Sequence, residues 1–302
     1  MVKVRVPAST SNLGAGFDCF GMALRLYLTV EMESIRRGLH VSVFGEGGSE
    51  IAFGEENLIF KAAQKLYQVT GIRPPGFRIR INNEIPLSKG LGSSGAATIA
   101  GLVGAAKLTQ TELPEQTLLS LAHQIEGHPE NASASLFGGF TINCIQNDQV
   151  ICKKVTVPED LNAVLVVPTA TVSTREARKA LPKNVPYEDA VFNLQCSSLF
   201  THAFLTGNVE SLREAMQDRL HQPYRKHLIP GFDEFERSGY ENGALGVCVS
   251  GSGSAVLALT HPDSSERLLQ KWTETAHSLK IAASVLAPGI ENTGVELNML
   301  SR

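Results

Sequence analysis

One run of small residues constrains the fold of this chain more than any other feature. Residues 86–96 read PLSKGLGSSGA and lead into residues 96–108, a stretch of small and apolar side chains. Glycines allow backbone N–H groups to turn toward a ligand without interference from a Cβ atom. If residues 96–108 form a helix, its positive N-terminal end points to the same place. The run therefore indicates either a cradle for phosphate or a tight strand-to-helix turn.

The spacing of the glycines also matches a dinucleotide-binding fingerprint, Gly90-x-Gly92-x-x-Gly95. That fingerprint directly follows a buried strand, with an acid about 20 residues on at the end of a second strand. Here polar residues and Pro86 precede the glycines, and two helical patterns without a second strand follow them. We therefore reject an NAD-dependent dehydrogenase. The G-x-x-x-x-G-K-[ST] pattern of a Walker-type loop is not present either.

Two further segments are dense in small residues. Residues 6–18 read VPASTSNLGAGFD after a predicted strand, and residues 246–254 read GVCVSGSGS between two predicted strands. The last segment, taken alone, is typical of a hairpin turn. Three such loops in one chain of this size are stronger evidence for a ligand-binding function than any one of them alone.

Composition excludes several classes of protein. The chain has 302 residues, 43% hydrophobic and 19% charged, which predicts a packed globular protein of two domains. Its net charge of −3 gives no overall basic field for nucleic acid. No apolar run approaches the roughly 20 residues that cross a bilayer. Because the N-terminus lacks a signal-peptide pattern and the five cysteines are scattered, we expect a cytoplasmic protein.

Helical and strand patterns alternate without regular βαβ repeats, which predicts an α+β fold. We place the boundary at a polar, proline-containing stretch, giving domains 1–157 and 158–302. Apolar spacing predicts helices at residues 56–68 and 114–126, and a further helix at 209–220. Residues 136–144 are predicted to be a strand.

Together, the three loops resemble those of the GHMP kinases, which phosphorylate small molecules. That superfamily has a motif near its N-terminus, a central P-x-x-x-G-L-G-S-S-A motif and a late glycine-rich turn. All three occur here in order and span nearly the whole chain, with Gly95 where Ser or Ala is commoner. The resemblance implies an N-terminal ribosomal-S5-like domain and a C-terminal ferredoxin-like domain.

Within the superfamily, the chain looks like the homoserine kinases. The signals are residues 6–18, 126–131 (EGHPEN), 173–178 (STREAR) and 222–225 (QPYR). The sequence departs from the family at Glu130, where Asp is commoner, and at Gln222, where Glu is commoner. The resemblance implies transfer of phosphate from ATP to the hydroxyl of L-homoserine in threonine biosynthesis, with Mg²⁺ and a homodimer. Because threonine has the same zwitterionic head as homoserine, we also expect feedback inhibition by threonine.

The resemblance also assigns the nucleotide side of the site. Ser94 and Glu126 would bind Mg²⁺. The alternative for Glu126 is that it is a solvated acid at the end of a helix. Asn57 either contacts adenine or caps a helix, a role that suits Asn equally well. The expected ATP-binding residues are Asn57, Pro86, Leu87, Ser88, Lys89, Gly90, Leu91, Gly92, Ser93, Ser94, Gly95 and Ala96. Of these, Lys89 either contacts phosphate or is a solvated loop residue.

On the acceptor side, the carboxylate of a zwitterion calls for arginine, which offers a bidentate fork. Arg178 and Arg225 match the family positions, and the alternative for each is a surface ion pair. Asp18, with Asn12 nearby, would accept from the ammonium. The expected substrate-binding residues are Asn12, Asp18, Asn131, Thr174, Arg178, Arg225 and Gly251.

Asp18, Glu126 and Arg178 are the predicted catalytic residues, without an identified general base. We expect the proton to pass directly to phosphate, because a loose transition state needs little activation of the nucleophile. His123 and His128 are expected to be structural. Two alternatives stay open: a kinase for mevalonate, shikimate or another alcohol, and a non-catalytic ligand-binding regulator on the same fold.

Overall fold

The computed structural model describes residues 1–299, which form an α+β fold with two sheets. The strands are β1 Val2–Ser11, β2 Phe20–Ser34, β3 Gly38–Gly45, β4 Gly76–Asn83, β5 Phe140–Gln146, β6 Gln149–Val155, β7 Asn162–Pro168, β8 Ala244–Val249, β9 Val256–Thr260, β10 Ala283–Leu286 and β11 Glu296–Met299. The helices are α1 Leu58–Thr70, α2 Ser93–Leu108, α3 Glu115–Glu126, α4 Glu130–Phe137, α5 Thr174–Lys179, α6 Tyr187–Thr206, α7 Leu212–Ala215, α8 Gln222–Arg225, α9 Phe232–Glu241 and α10 Pro262–Ser278.

The larger sheet carries the N-terminal half of the chain. Its strands follow the order β11-β1-β2-β4-β3, with β5 paired to β2 and β6 to β5. Val2, Val4 and Val6 of β1 alternate with charged residues and are fully buried. Their buried face packs against α2, a helix whose small, apolar residues are almost all buried. Close packing on the sheet therefore fixes the position of the N-terminus of α2, where the glycine-rich run ends.

The smaller sheet has the antiparallel order β10-β7-β9-β8 and lies between two cores. Val164 and Val166 of β7 face one core with Trp272 of α10, whereas Leu165 faces the core shared with the larger sheet. This alternation is what a strand buried on both faces requires. The shared core holds the two halves of the molecule together.

The predicted helices at residues 56–68 and 114–126 correspond to α1 and α3. The prediction for residues 136–144 was wrong at its start, because α4 extends to Phe137 and two glycines with positive φ, Gly138 and Gly139, separate it from β5. The helix predicted at 209–220 was too long and ends by residue 216. Asp218 there accepts hydrogen bonds from backbone amides that include those of Leu220 and Gln222, which favours a turn over a helix.

The predicted domain boundary at residue 157 stays a prediction, and one strand from beyond the boundary belongs to the sheet of the first half. Strand β11, in the predicted second domain, pairs with β1 of the larger sheet. The end of the described chain therefore returns to the first half. Among residues 1–299, no helix is both long and apolar enough to cross a bilayer.

Candidate active site

The three small-residue loops meet at one end of the two sheets. The Ser9 amide donates to the Leu91 carbonyl (3.2 Å), and the Gly251 amide donates to the Ser11 carbonyl (3.1 Å). The Ser250 hydroxyl donates to the Gly90 carbonyl at 2.7 Å. Loops that lie about 80 and 160 residues apart in sequence thus form one hydrogen-bonded unit.

Glycine is required where these loops touch. Gly90 has φ +75°, and a Cβ atom on it would lie 1.9 Å from the Ser250 carbonyl oxygen. Gly92 has φ +68°, and its Cβ would lie 2.0 Å from the Ser9 hydroxyl. Both positions combine a backbone conformation that disfavours L side chains with a lack of space. Gly92 also occupies the N-cap position of α2, so the chain enters the helix directly from this contact.

A cavity of about 230 Å³ opens at the N-terminus of α2. The loop contributes Pro86, Ser88, Lys89, Gly90, Leu91, Gly92, Ser93 and Ser94, and the other walls are formed by His128, Asn131 and residues 172–174 and 251–252. The first amides of a helix have no partners within the helix and carry its positive end. The cavity therefore suits an anion such as a chain of phosphates.

Ser94 lines this cavity, and Glu126 lies directly beside it. The Ser94 hydroxyl donates to Glu126 Oε2 at 2.7 Å, and the Thr98 hydroxyl donates to Oε1 at 2.6 Å. Two oxygens on a half-exposed site fit Mg²⁺, which takes few protein ligands and keeps water and phosphate as the others. The sequence interpretation missed Thr98, although it lies one helical turn after Ser94 and faces the same way.

A second cavity, of about 330 Å³, lies beside the first and is lined largely by apolar side chains, including Leu28, Leu58 and Ile81. Asn57 borders it but is occupied as a helix cap. Its Oδ1 accepts from the amides of Ile59 (3.0 Å) and Phe60 (3.3 Å), and its Nδ2 donates to the Ala52 carbonyl. The geometry therefore favours the N-cap alternative for Asn57 over a contact with adenine.

Of the two predicted roles of Lys89, the structure rules out that of a solvated loop residue. Its side chain is buried, and Nζ donates to the carbonyls of Thr169 (2.6 Å) and Ala170 (2.8 Å). Burial lowers the pKa of the ammonium, an effect that the charge of Glu50 partly opposes. Lys89 thus ties the phosphate loop to the segment that leads into α5. Direct contact with phosphate stays a prediction.

Asp18 and Arg178 form a bidentate ion pair across the outer part of the site. Arg178 Nη1 lies 2.9 Å from Oδ2, and Nη2 lies 2.8 Å from Oδ1. About a third of each side chain is exposed. The hydrogen bonds to Asp18 raise the pKa of Arg178 above its ordinary value. The two predicted catalytic residues are therefore adjacent and largely neutralise each other.

Arg225 is the second predicted arginine and has a different environment. It is only 2% exposed, and no carboxylate of residues 1–299 lies within 4.0 Å of its guanidinium. Its Nε donates to the Ala177 carbonyl, and Nη1 lies 3.5 Å from His221 Nδ1. Burial, together with the charge of Arg178, lowers the pKa of Arg225 to about 10. A buried guanidinium without a counter-ion is costly, which indicates an anionic ligand.

Phe17 and His221 support both arginines, and sequence reasoning had not assigned them a role. The Phe17 ring stacks on His221 at 5.1 Å, and the guanidinium carbons of Arg178 and Arg225 lie 5.7 and 5.0 Å from its centroid. His221 Nε2 lies 2.8 Å from the Gly14 carbonyl. Its side chain is fully buried, and burial lowers its pKa. The partly buried Phe17 ring therefore packs against both arginines, and the fully buried His221 contacts Arg225.

The other predicted substrate-binding residues gather here, but several have committed side chains. Asn12 accepts from the Asp18 amide and donates to the Gly251 carbonyl. Asn131 donates to the Ser11 hydroxyl. Thr174, the first residue of α5, is exposed and borders the cavity. Asn12 therefore holds the loops together, whereas the side chain of Thr174 makes no hydrogen bond to any of residues 1–299.

Glu130 and His128 border a small cavity of about 30 Å³ that is also lined by Asp18, Arg178 and Arg225. Neither of them was assigned a role in binding or catalysis from the sequence. His128 Nδ1 lies 3.2 Å from Glu130 Oε1, in an orientation too poor for a hydrogen bond. Burial lowers the pKa of His128, but interactions with Glu130 and Glu126 outweigh it and raise the pKa. Gln222, the other departure from the family, accepts from the Val249 amide and has a structural role.

Two family models and several known proteins match this chain. The family model for the GHMP kinases N terminal domain matches residues 57–139, and the model for GHMP kinases C terminal matches residues 200–278. The homoserine kinase of Caldicellulosiruptor saccharolyticus is 44% identical over 259 residues, which cover 86% of this chain and 84% of that protein. That of Aquifex aeolicus is 41% identical over 261 residues, covering 86% and 87%.

The chain belongs to the homoserine kinase family of GHMP kinases. A crystal structure of homoserine kinase from Cytophaga hutchinsonii superposes with a TM-score of 0.88 at 27% identity, covering 98% of this chain and 97% of that one. These matches confirm the two-domain GHMP kinase fold. They also make the chain an ATP-dependent kinase that acts on an alcohol group, which decides against the non-catalytic alternative.

Proposed function

We propose that this protein transfers the terminal phosphoryl group of ATP to the hydroxyl of L-homoserine, giving ADP and O-phospho-L-homoserine. One observation carries the proposal: three cavities follow one another across the molecule. The apolar and phosphate-loop cavities share Ser88, Ser93 and Ser94. The phosphate-loop and arginine-lined cavities share His128, Asn131, Thr174 and Ser252. This order matches a base, its phosphates and a small amino acid.

The nucleotide would occupy the first two cavities. Its base fits the apolar cavity, and its phosphates fit against the amides at the start of α2. Because the glycines hold these amides in place before binding, little reorganisation accompanies the reaction. The phosphate loop would thereby bind and orient the group that is transferred.

Ser94 and Glu126 would hold Mg²⁺, and Thr98 would keep the Glu126 carboxylate turned toward the cavity. The Ser94 Oγ–Glu126 Oε2 distance of 2.7 Å places two hard oxygen donors next to the expected phosphate position. When bound, the ion would neutralise charge on the phosphates.

The amino acid would lie where the third cavity joins the phosphate-loop cavity, with its carboxylate toward Arg225 and Arg178. A planar guanidinium gives a carboxylate both charge and direction. The hydroxyl would then face the phosphate loop from the side of Thr174 and Asn131. Because phosphoryl transfer depends mainly on positioning and charge neutralisation, we propose that the hydroxyl proton passes to the phosphate without a dedicated base.

ADP release tests the proposal directly. The purified protein with MgATP is supplied separately with L-homoserine, mevalonate and shikimate, in an assay coupled to ADP formation. We expect L-homoserine to give a kcat/KM at least about 100-fold above the other two alcohols, since they lack the ammonium. Equal or greater turnover with mevalonate or shikimate would assign a different acceptor, and no alcohol-dependent ADP would contradict the proposal.

The homodimer, the cytoplasmic location and feedback inhibition by threonine stay predictions. Threonine shares the zwitterionic head of homoserine, so competition between the two amino acids would support the last of them.

A further inference from the structure

Asp218 holds the turn that leads into α8. Its carboxylate is fully buried. Oδ1 accepts from the Leu220 amide (3.0 Å), and Oδ2 accepts from the amides of His221 (2.9 Å) and Gln222 (2.6 Å). A buried carboxylate that accepts from three successive amides fixes the backbone of the turn, because each unmade hydrogen bond would cost free energy. The Arg225 amide also donates to the His221 carbonyl, so the position of this turn sets the position of Arg225.

The His221 ring connects this turn to two other parts of the site. Nε2 lies 2.8 Å from the Gly14 carbonyl oxygen, and since a carbonyl can only accept, Nε2 carries a proton. Nδ1 of the neutral ring then has a lone pair, which faces Arg225 Nη1 at 3.5 Å. Burial lowers the pKa of His221 and outweighs the opposing charge of Asp218, which keeps the ring neutral. His221 therefore donates to the first loop and accepts from Arg225.

Arg225 is supported from several sides without a direct counter-ion. Its Nε donates to the Ala177 carbonyl of α5 at 3.1 Å, and Nη1 faces the neutral His221 ring. The charge of Asp218 opposes the lowering of the Arg225 pKa by burial, but the two residues do not form an ion pair. A carboxylate bound directly to the guanidinium would compete with a ligand carboxylate for the same N–H groups. Support from a carbonyl, a neutral ring and a remote charge leaves those groups available.

Asn193 of α6 completes this support. Its Nδ2 donates to Asp218 Oδ1 at 2.7 Å, and its Oδ1 accepts from the Arg219 amide at 2.9 Å. Neither Asp218 nor His221 lines any of the three cavities assigned to the substrates. Both residues can therefore affect a ligand only through the groups that they hold in place.

We propose that Asp218 and His221 are positioning residues that hold the Arg225 guanidinium in the plane from which it binds the carboxylate of the acceptor. This inference rests on the proposed function and deepens it. Asp218 acts through the backbone amides of the turn, and His221 acts through Nδ1 of its neutral ring. A guanidinium makes two parallel hydrogen bonds to a carboxylate only in a fixed orientation, so a small rotation of Arg225 lowers acceptor affinity.

A double-mutant cycle with Arg225→Gln tests whether the two residues act through Arg225. His221→Phe keeps an aromatic ring beside Phe17 and removes both hydrogen bonds of the imidazole. We expect kcat/KM for L-homoserine to fall about tenfold, mainly through KM, in an assay coupled to ADP formation. In the Arg225→Gln background, the same substitution should change kcat/KM less than about twofold. A full repeat of the loss in that background would overturn the role of His221.

Asp218→Asn replaces one accepting oxygen by an amide nitrogen, which cannot accept from the backbone. We expect kcat/KM for L-homoserine to fall about 30-fold in the wild-type background and less than about threefold in the Arg225→Gln background. An equal loss in both backgrounds would overturn the role of Asp218.

Two further variants complete the cycle. His221→Gln keeps a donor and an acceptor and should recover most of the activity that His221→Phe loses. The matched control is His227→Phe, at an exposed position just after α8, which should leave kcat/KM unchanged. A loss with His221→Gln as large as that with His221→Phe would contradict the role given to the two ring nitrogens.

Two readouts separate positioning from a general structural role. We expect each variant to bind a non-hydrolysable ATP analogue within about threefold of the wild-type affinity, measured by calorimetry. Loss of analogue binding in Asp218→Asn or His221→Phe would make that residue structural and overturn its positioning role. An acceptor without a carboxylate, 2-amino-1,4-butanediol, should lose less than about threefold in kcat/KM with either variant. Equal losses for this diol and L-homoserine would overturn the inference.

The wild-type protein keeps this test separate from the proposed function. Absence of L-homoserine-dependent ADP with the wild-type protein overturns the proposed function and removes the basis of the inference. If the wild-type protein phosphorylates L-homoserine but the losses add in the double variants, the inference alone is overturned.

Discussion

The two sides of the candidate cleft are built in different ways. The phosphate side consists of backbone amides from one continuous run, residues 86–96, held by glycines that touch neighbouring loops. The amino-acid side consists of charged side chains from segments as far apart as Asp18 and Arg225. A backbone site cannot tolerate an added Cβ atom, whereas a side-chain site changes its preference with single charges. Phosphate binding should therefore be sensitive to substitutions that change the shape of the loop and insensitive to changes of side-chain charge. Acceptor binding should be sensitive to changes of side-chain charge and less sensitive to changes in backbone shape.

The largest expected effect comes from the backbone side, with Gly90→Ala. The new Cβ would lie 1.9 Å from the Ser250 carbonyl oxygen at φ +75°, so two loops must separate. We expect kcat/KM to fall more than about 100-fold and stability to fall by about 2 kcal/mol or more. Activity assays and denaturant unfolding measure the two losses.

Gly71→Ala is the matched control, because Gly71 has φ +73° but nothing within 4 Å of the new Cβ. It should cost about 1 kcal/mol and leave kcat/KM unchanged. Equal losses of activity in the two variants would show that strain in the backbone, and not loop contact, explains the first result.

Glu126→Gln removes the carboxylate that is predicted to bind Mg²⁺ on the phosphate side. We expect kcat to fall about 10² to 10³-fold and the Mg²⁺ concentration for half-maximal rate to rise, because a neutral amide is a poorer ligand for Mg²⁺. Thr98→Val should give a smaller loss, about fivefold, by releasing Glu126 Oε1.

Glu115→Gln changes an exposed acid at the opposite end of the same helix and should alter neither quantity. An unchanged dependence on Mg²⁺ in Glu126→Gln would return Glu126 to the role of a solvated helix-end acid.

Lys89→Met acts where the two sides join. Loss of the hydrogen bonds to Thr169 and Ala170 should loosen the segment before α5, which carries Thr174 and Arg178. We expect KM for L-homoserine to rise about fivefold to tenfold with little change in KM for ATP. Steady-state kinetics with each substrate varied in turn separate the two constants.

Lys89→Arg should restore part of the affinity, and Lys107→Met, on the exposed end of α2, should change neither constant. A selective rise in KM for ATP would instead support the direct phosphate contact predicted from the sequence.

The smallest effect is expected from Asn57→Ser. Serine also caps a helix well, so α1 should lose less than about 1 kcal/mol of stability. KM for ATP should stay within about twofold to threefold of wild type if Asn57 acts only as the cap. A tenfold rise in KM for ATP, with unchanged thermal stability, would instead support a hydrogen bond between Asn57 and adenine.

The same contrast explains what the sequence could predict. The phosphate loop was predictable because glycine spacing is local and its physical consequence, exposed amides before a helix, follows directly. Thr98 was missed although its spacing from Ser94 was visible. The pairing of Asp18 with Arg178 joins residues 160 positions apart and leaves no local pattern. Nor could composition show that the buried Lys89 donates hydrogen bonds to two backbone carbonyls. It could not show either that one carboxylate oxygen of Glu130 has no hydrogen-bond partner among residues 1–299.

Secondary structure followed the same rule. Long amphipathic helices such as α3 were predictable from apolar spacing, whereas α4 was not, because its buried residues include Glu130, Ser133 and Ser135. The return of β11 to the larger sheet depends on pairing with β1 near the other end of the chain. Such contacts are set by tertiary packing and not by local propensity.

A crystal structure with a non-hydrolysable ATP analogue and L-homoserine tests the central claim most directly. We predict that the terminal phosphate accepts hydrogen bonds from the amides at the start of α2, and that the homoserine hydroxyl faces this phosphate from the arginine-lined cavity. Nucleotide density elsewhere, with the start of α2 contacted only by protein side chains, would contradict the account.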